Sequence, residues 1–297
     1  MFQGSFVAIV TPFSDNRIDE QALRKLVRFH IDNGTSGIVP CGTTGESATL
    51  SYEEHFQVVD IVISEAKGKV PVIAGAGSNS TSETLMFTEH AKKAGADGVL
   101  LITPYYNKPT QDGLYQHFKK VAESVDIPQV LYNVPGRTGV SISPETVAKL
   151  SEIPNIVAIK EASGSLDQVS QILKLCNITV LSGDDSLTLP MISIGAKGVI
   201  SVVANVLAGR MASLVKSALS GDFQTAKKIH YELYDIFKVM FVETNPIPVK
   251  SAMALLNMIK PELRLPMTFI SETGKLKLLK ELSKIPELAG KLECYTK

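Results

Sequence analysis

No tryptophan occurs among the 297 residues, and aromatic residues make up only 6% of the chain. Single-stranded nucleic acids are held largely by stacking on aromatic side chains, so little here supports such binding. Neither sign of charge prevails, with 30 Lys and Arg against 30 Asp and Glu. Without a basic excess the expectation is no nucleic-acid partner. The three cysteines, Cys41, Cys176 and Cys294, are too few and too scattered for a disulfide framework or a zinc site. That scarcity fits a reducing compartment. No apolar stretch is long enough to cross a bilayer. Met1-Phe2-Gln3-Gly4-Ser5 lacks the basic region and apolar run of a signal peptide. A soluble, cytoplasmic chain with no membrane partner is therefore expected. Gly-x-Ser-x-Gly is absent, which argues against a serine hydrolase. Gly75-Ala76-Gly77-Ser78-Asn79-Ser80 misses the last glycine of the dinucleotide fingerprint and follows the third strand rather than the first.

What is present is a repeated alternation. Short apolar runs bounded by turn residues occur at 5–11, 37–41, 70–75, 98–104, 129–135, 156–162, 179–185 and 198–204. Such runs suit strands buried on both faces, as in parallel sheets. Helix-length segments separate them. Leu23, Leu26, Val27, His30 and Ile31 repeat at helical spacing behind Asp19, and Gly34 closes that segment. Ser51 with Glu54, and Ser80 with Glu83, read as capping boxes. Ser143-Pro144 reads as a cap and first helical residue. The pattern predicts an α/β chain folded as a (β/α)8 TIM barrel, with an open doubly wound sheet as the alternative. About eight regular units in little more than two hundred residues favour closure. The expected division is a barrel over 1–222 and a helical extension over 223–297. That extension is expected to break at Thr244 to Pro248 and to end with a helix from Gly274 to Leu282.

Active sites of such barrels lie at the C-terminal ends of the strands. The residues expected there are Thr43, Thr44 and Glu46, then Tyr105, Tyr106 and Asn107, then Tyr132, Asn133 and Arg137. Lys160 and Glu161 follow, and then Ser182, Asp184 and Asp185. The histidines, His30, His55, His90, His117 and His230, all fall in helical segments, so no metal site is expected. Phosphate sites on barrels are usually built after strands seven and eight. Asp184 and Asp185 would repel a dianion there, which argues against a sugar phosphate. Lys160 stands out because Ile156-Val157-Ala158-Ile159 runs straight into it. A free lysine is almost wholly protonated at neutral pH, with a reference pKa of about 10.4. Burial penalises the charged form, and a neutral amine can attack a ketone and form a Schiff base. The protonated imine is an electron sink that needs no metal and no other cofactor. Tyr132 is a candidate for proton transfer, with a threonine hydroxyl as relay. The Gly-Thr-Thr-Gly turn offers backbone N–H groups to a carboxylate. Arg137 offers a fork that fits a second one.

These motifs together resemble the dihydrodipicolinate synthase family over nearly the whole chain. The matching segments are Gly42-Thr43-Thr44-Gly45-Glu46-Ser47, Pro104-Tyr105-Tyr106-Asn107, Tyr132 to Gly139, Ile159-Lys160-Glu161-Ala162, Ser182-Gly183-Asp184-Asp185 and Asn245 to Lys250. The lysine, the Tyr-Asn-x-Pro segment and the Gly-Glu loop are shared with the wider pyruvate aldolases, whereas Arg137 points to the synthases. The resemblance implies condensation of pyruvate with L-aspartate 4-semialdehyde to 4-hydroxy-tetrahydrodipicolinate. It gives Lys160 the Schiff base, and Tyr132, Thr43 and Tyr106 a proton relay, with Tyr106 donated across a subunit interface. It implies that Thr44 holds the pyruvate carboxylate, Arg137 holds that of the aldehyde, and Gly183 and Ile200 line the site. It implies a homotetramer built as a dimer of dimers. Some members bind lysine as a feedback inhibitor, and the matching positions are Ser47, Ala48, His55, Asn79, Glu83 and Tyr105. Tyr52 departs from the histidine that strongly inhibited members can carry. The alternatives are another pyruvate-dependent aldolase acting on a sugar acid, and a catalytically inactive binding paralogue.

Overall fold

The computed structural model describes residues 2–296, excepting the side chains of 293–296. Met1 and the Cys294 side chain, both weighed above, lie outside the described parts. Eight strands pair in parallel: β1 (Gly4–Ala8), β2 (Gly37–Val39), β3 (Ile73–Gly75), β4 (Gly98–Ile102), β5 (Gln129–Asn133), β6 (Ile156–Glu161), β7 (Thr179–Ser182) and β8 (Gly198–Ser201). Their order round the sheet is β2-β1-β8-β7-β6-β5-β4-β3. The remaining gap, between β2 and β3, is bridged in parallel at Ile38–Val72. The sheet therefore comes round on itself as a TIM barrel. The strands are shorter than their apolar runs suggest, because the ends of those runs turn into the rim loops.

Residues alternate across each strand, so two cores form. Phe6, Ile73, Leu100, Val130, Ala158, Leu181 and Ile200 fill the barrel interior. Val7, Ile38, Val99, Leu131, Ile159 and Val180 face the helices. The helices α1 (Glu20–Asp32), α2 (Tyr52–Ala66), α3 (Thr81–Ala94), α4 (Gln111–Ser124), α5 (Pro144–Leu150), α6 (Leu166–Leu175), α7 (Thr188–Ser193) and α8 (Ala204–Leu219) surround the sheet. Asp19 caps α1 by accepting from the Ala22 N–H, and Gly34 follows its end at φ 75°. Ser51 and Glu54 form the expected capping box of α2. Ser143 caps α5 with Pro144 in its first turn.

The capping box expected at Ser80 and Glu83 does not form, for Ser80 makes no side-chain cap. Glu83 instead accepts from the Ser78 and Tyr52 hydroxyls. Two hydroxyl donors outcompete one backbone N–H for that carboxylate. A two-stranded hairpin, Phe13–Ser14 against Arg17–Ile18, was not foreseen. Its turn is Asp15-Asn16, both at positive φ, a conformation these two residue types tolerate better than most.

Beyond the barrel come α9 (Phe223–Val239), α10 (Ile247–Leu255) and α11 (Glu272–Leu282). One more helix follows where the sequence reading ended, α12 (Pro286–Thr296). Leu233, Phe237, Met253, Leu278, Leu288 and Leu292 belong to the same apolar cluster as the barrel's helix-facing residues. No described helix is long and apolar enough to cross a membrane.

Candidate active site

Lys160 and Tyr132 are register partners on adjacent strands, so the parallel ladder alone sets them side by side. Both follow interior residues by two positions, Ala158 and Val130, and so point into the barrel. Lys160 is 5% exposed and Tyr132 6% exposed. The Lys160 amine lies 4.3 Å from the centre of the Tyr132 ring, on its face. No carboxylate pairs with it among the described residues, within ion-pair distance. Gly183, beyond β7, closes the other side. A Cβ at that position would lie 2.5 Å from the Ala162 Cβ and 3.2 Å from the Lys160 Cε, so glycine lets the β7 loop approach the lysine stem. Ile200 is fully buried in the same interior cluster as Tyr132.

Thr43 and Thr44 sit in the turn after β2. Thr44 is buried and its hydroxyl accepts from the Asn245 side-chain amide at 3.0 Å. Thr43, Tyr132 and Arg137 share the wall of a cavity of about 450 Å³, with Asn245 between them. The Arg137 guanidinium donates to the Asn245 carbonyl oxygen at 3.2 Å. Asn245 thus touches both expected carboxylate-binding residues. Sequence reading quoted it in a motif but gave it no role, since nothing local shows that residue 245 returns to residue 44.

Tyr106 does not reach the cavity wall that Thr43 and Tyr132 share. It is 90% exposed, at positive φ, and borders a second, open depression with Arg137 and Gly139. Of the six positions matched to a lysine site, Ser47, Ala48, His55, Glu83 and Tyr105 line the far end of the first cavity, together with Tyr52. Asn79 is not part of that wall, and its carbonyl oxygen accepts from the Asn107 amide. His55 stacks on Phe87 and hydrogen bonds the Gly75 carbonyl through Nε2. Burial pushes its pKa down to about 4. The Glu83 carboxylate beside Tyr52 raises the phenol's pKa.

Two acidic residues behave differently from the simple picture of a repelling pair. Asp185 is buried and accepts from the Ser201 hydroxyl and from the Val202 and Val203 N–H groups, each of the latter at 3.1 Å. Those N–H groups lie just ahead of α8, in the loop after β8 where a phosphate would sit in other barrels. The protein's own carboxylate takes up that anion position. Asp184 is half-buried. Desolvation raises its pKa, while the nearby Lys160 and Lys238 charges pull it back down. Glu161 faces the helices, where its pKa is raised by burial against opposing hydrogen bonds from Asn133, Ser163 and Gln168. No cluster of three or more His, Cys, Asp or Glu side chains suited to a metal ion occurs among the described residues.

Known proteins resemble the chain over nearly its whole length. Residues 1–285 match the model of the dihydrodipicolinate synthetase family. A 4-hydroxy-tetrahydrodipicolinate synthase of Geobacter sulfurreducens is 58% identical over 280 residues, which is 94% of this chain and 97% of that protein. The crystal structure of dihydrodipicolinate synthase from Aquifex aeolicus superposes with a TM-score of 0.95 at 53% identity, covering 97% of this chain and 99% of that one. The enzyme from Cyanidioschyzon merolae, solved with lysine bound, superposes with a TM-score of 0.92 at 40% identity, covering 95% and 98%. By its sequence, its barrel and the residues gathered at one rim, this chain belongs to the dihydrodipicolinate synthetase family.

Proposed function

We propose that the chain is a Schiff-base-forming lyase that condenses pyruvate with L-aspartate 4-semialdehyde to 4-hydroxy-tetrahydrodipicolinate. The observation that carries this reading is the buried Lys160 amine on the face of Tyr132, in a member of this family. The Lys160 amine attacks the keto carbon of pyruvate, and loss of water gives a protonated imine. Tyr132 and Thr43 move the protons, because both reach the same cavity. The imine withdraws electrons from the methyl carbon, which loses a proton and becomes an enamine. That carbon attacks the aldehyde, and the aldehyde oxygen takes up a proton to become the hydroxyl. The substrate amine then attacks the imine carbon, closes the ring and releases Lys160. No metal or separate cofactor enters this scheme, since the covalent intermediate is itself the electron sink.

Thr44 is assigned to the pyruvate carboxylate and Arg137 to that of the aldehyde; Gly183 and Ile200 shape the wall. Tyr106 completes the relay from a second copy in a dimer of dimers. Its 90% exposure at a rim loop, away from its own chain's site, supports that role. Lysine is proposed as a feedback ligand at the far end of the cavity, supported by the five lining positions. A cytoplasmic setting suits the small cysteine complement.

Incubation with pyruvate and borohydride tests the first step. The expected result is a single reduced adduct on Lys160 by peptide mass spectrometry, together with turnover of both substrates in a coupled assay. An enzyme that traps pyruvate but ignores aspartate semialdehyde would be the sugar-acid aldolase instead. One that does neither would be a binding paralogue.

A further inference from the structure

The mechanism leaves one buried charge pair without a task. Glu46 ends the turn that holds Thr43 and Thr44, and Lys250 lies on α10, 204 residues further along the chain. Their side chains are 2% and 1% exposed, and the Lys250 amine meets a Glu46 carboxylate oxygen at 2.5 Å. The same amine donates to the Thr11 carbonyl oxygen at 3.0 Å and sits 4.3 Å above the Phe13 ring. The second Glu46 oxygen accepts from the Arg264 N–H at 3.1 Å. Burial lowers the Lys250 pKa, opposed by the Glu46 charge.

A buried ion pair is poor evidence of stability, because desolvation offsets most of the attraction. Its use is better sought in direction. The turn bearing Thr43 and Thr44 is an awkward one, with Cys41 at φ 53° and Glu46 at φ 54°, both in the left-handed region without being glycine. Such a turn persists only if its surroundings hold it. Here the Glu46 N–H donates to the Thr43 carbonyl oxygen at 3.1 Å. The Thr11 hydroxyl donates to the Gly45 carbonyl oxygen at 2.7 Å. Asn245, just ahead of α10, holds the Thr44 hydroxyl, while Lys250, within α10, holds the Glu46 carboxylate. The start of α10 and the residue just ahead of it therefore hold one turn at two points.

We propose that Glu46 and Lys250 are positioning residues for the reaction: their ion pair fixes the Thr43-Thr44 turn against α10, so that both hydroxyls meet pyruvate in register with Lys160. This inference rests on the Schiff-base reading above. The decisive variant is the double change Glu46→Gln with Lys250→Met, which removes both charges and strands neither. It is expected to fold with a melting temperature close to the parent's. Its pyruvate KM should rise about tenfold or more and its rate of borohydride trapping should fall likewise, because small displacements of aligned groups cost that much or more. The KM for the aldehyde should move far less. A folded double variant with parental kcat and pyruvate KM would overturn the proposal, as would a loss of thermal stability alone. Should the double variant not fold, Glu46→Asp keeps the charge and shortens its reach. A folded Glu46→Asp enzyme with an unchanged pyruvate KM would count equally against the proposal. The parent enzyme separates the two ideas. If it forms no adduct at Lys160, the Schiff-base reading fails and this one falls with it. If it does, and the variants trap pyruvate equally fast, only the positioning role fails.

Discussion

Two pairs of residues stand next to each other on β5 and β6, and they live in different chemical worlds. Tyr132 faces Lys160 across the ladder, and one step on Asn133 faces Glu161. The inner pair is buried, with Tyr132 on the cavity wall and Lys160 behind its ring, and no hydrogen bond joins its polar ends. The outer pair is saturated. The Asn133 amide donates to both Glu161 oxygens, at 3.2 and 3.0 Å. The Ser163 N–H and the Gln168 amide complete the carboxylate's shell at 2.7 and 3.0 Å. The Asn133 side-chain oxygen, Oδ1, in turn accepts from the Ile142 N–H. Strand alternation puts reactive and satisfied groups one residue apart, so a scaffold contact can set the register of a catalytic one.

The sharpest way to break this contrast is to empty the inner pair. Lys160→Met should abolish trapping and lower kcat by at least about a thousandfold, since the covalent route is lost. Tyr132→Phe keeps the ring against Lys160 and removes only the hydroxyl. Its kcat should fall roughly 10²- to 10³-fold, as for a lost proton-transfer group, while thermal unfolding hardly changes.

The outer pair should answer in the opposite sense. Glu161→Gln turns one acceptor oxygen into a donor and sets its N–H₂ against the amides of Asn133 and Gln168 or the Ser163 N–H. Stability should drop by about 1–3 kcal/mol, the cost of a buried group left unmatched. For a chain of this size that is a fall of roughly 2–5 °C in Tm. The accompanying loss of kcat should be far smaller than for Tyr132→Phe. A Glu161→Gln enzyme of parental Tm and poor kcat would reverse the assignment of the two faces.

The smallest effect concerns acid. His30, His55 and His117 are buried among the helices, and desolvation lowers their pKa values to about 3, 4 and 4 from the ordinary 6.5. Between those values the unfolded chain binds protons that the folded chain does not. Stability should therefore fall as pH drops from about 6.5 towards 4. Glu161 acts in the other direction, because its pKa is raised and protonation favours the folded state. Asp184 and Asp185 act as Glu161 does, and His230 acts as the other three histidines do; the expected net is a loss on acidification carried by the four histidines, measurable by Tm against pH. A flat profile over that interval would show that the rings are solvated.

Much of this was readable in one dimension. Apolar runs ending in Lys160, Tyr132 and the Thr43-Thr44 turn announce strands and what hangs from them, because strand burial and its interruption are local signals. The Asp15-Asn16 hairpin was readable in principle from two residues that tolerate positive φ, but strands of two residues carry no periodicity. Glu83 was misread because a capping box is a local pattern and its actual partners, Tyr52 and Ser78, are set by packing. The helix after Leu282 escapes a local reading because Ser283 to Pro286 looks like an ending, and Leu288 and Leu292 find their burial only against the rest of the tail.

By itself, the sequence determined the alternation of strand and helix and the family, and it singled out Lys160 as the candidate nucleophile, since each is written in contiguous motifs. Only the tertiary structure decided which distant groups share a contact. It brought Asn245 to Thr44 and Arg137, and Lys250 to Glu46. It gave the anion position at α8 to Asp185 and left Tyr106 in the open. Such choices depend on how a barrel and a helical tail close on each other, and no stretch of chain records its neighbours across two hundred residues.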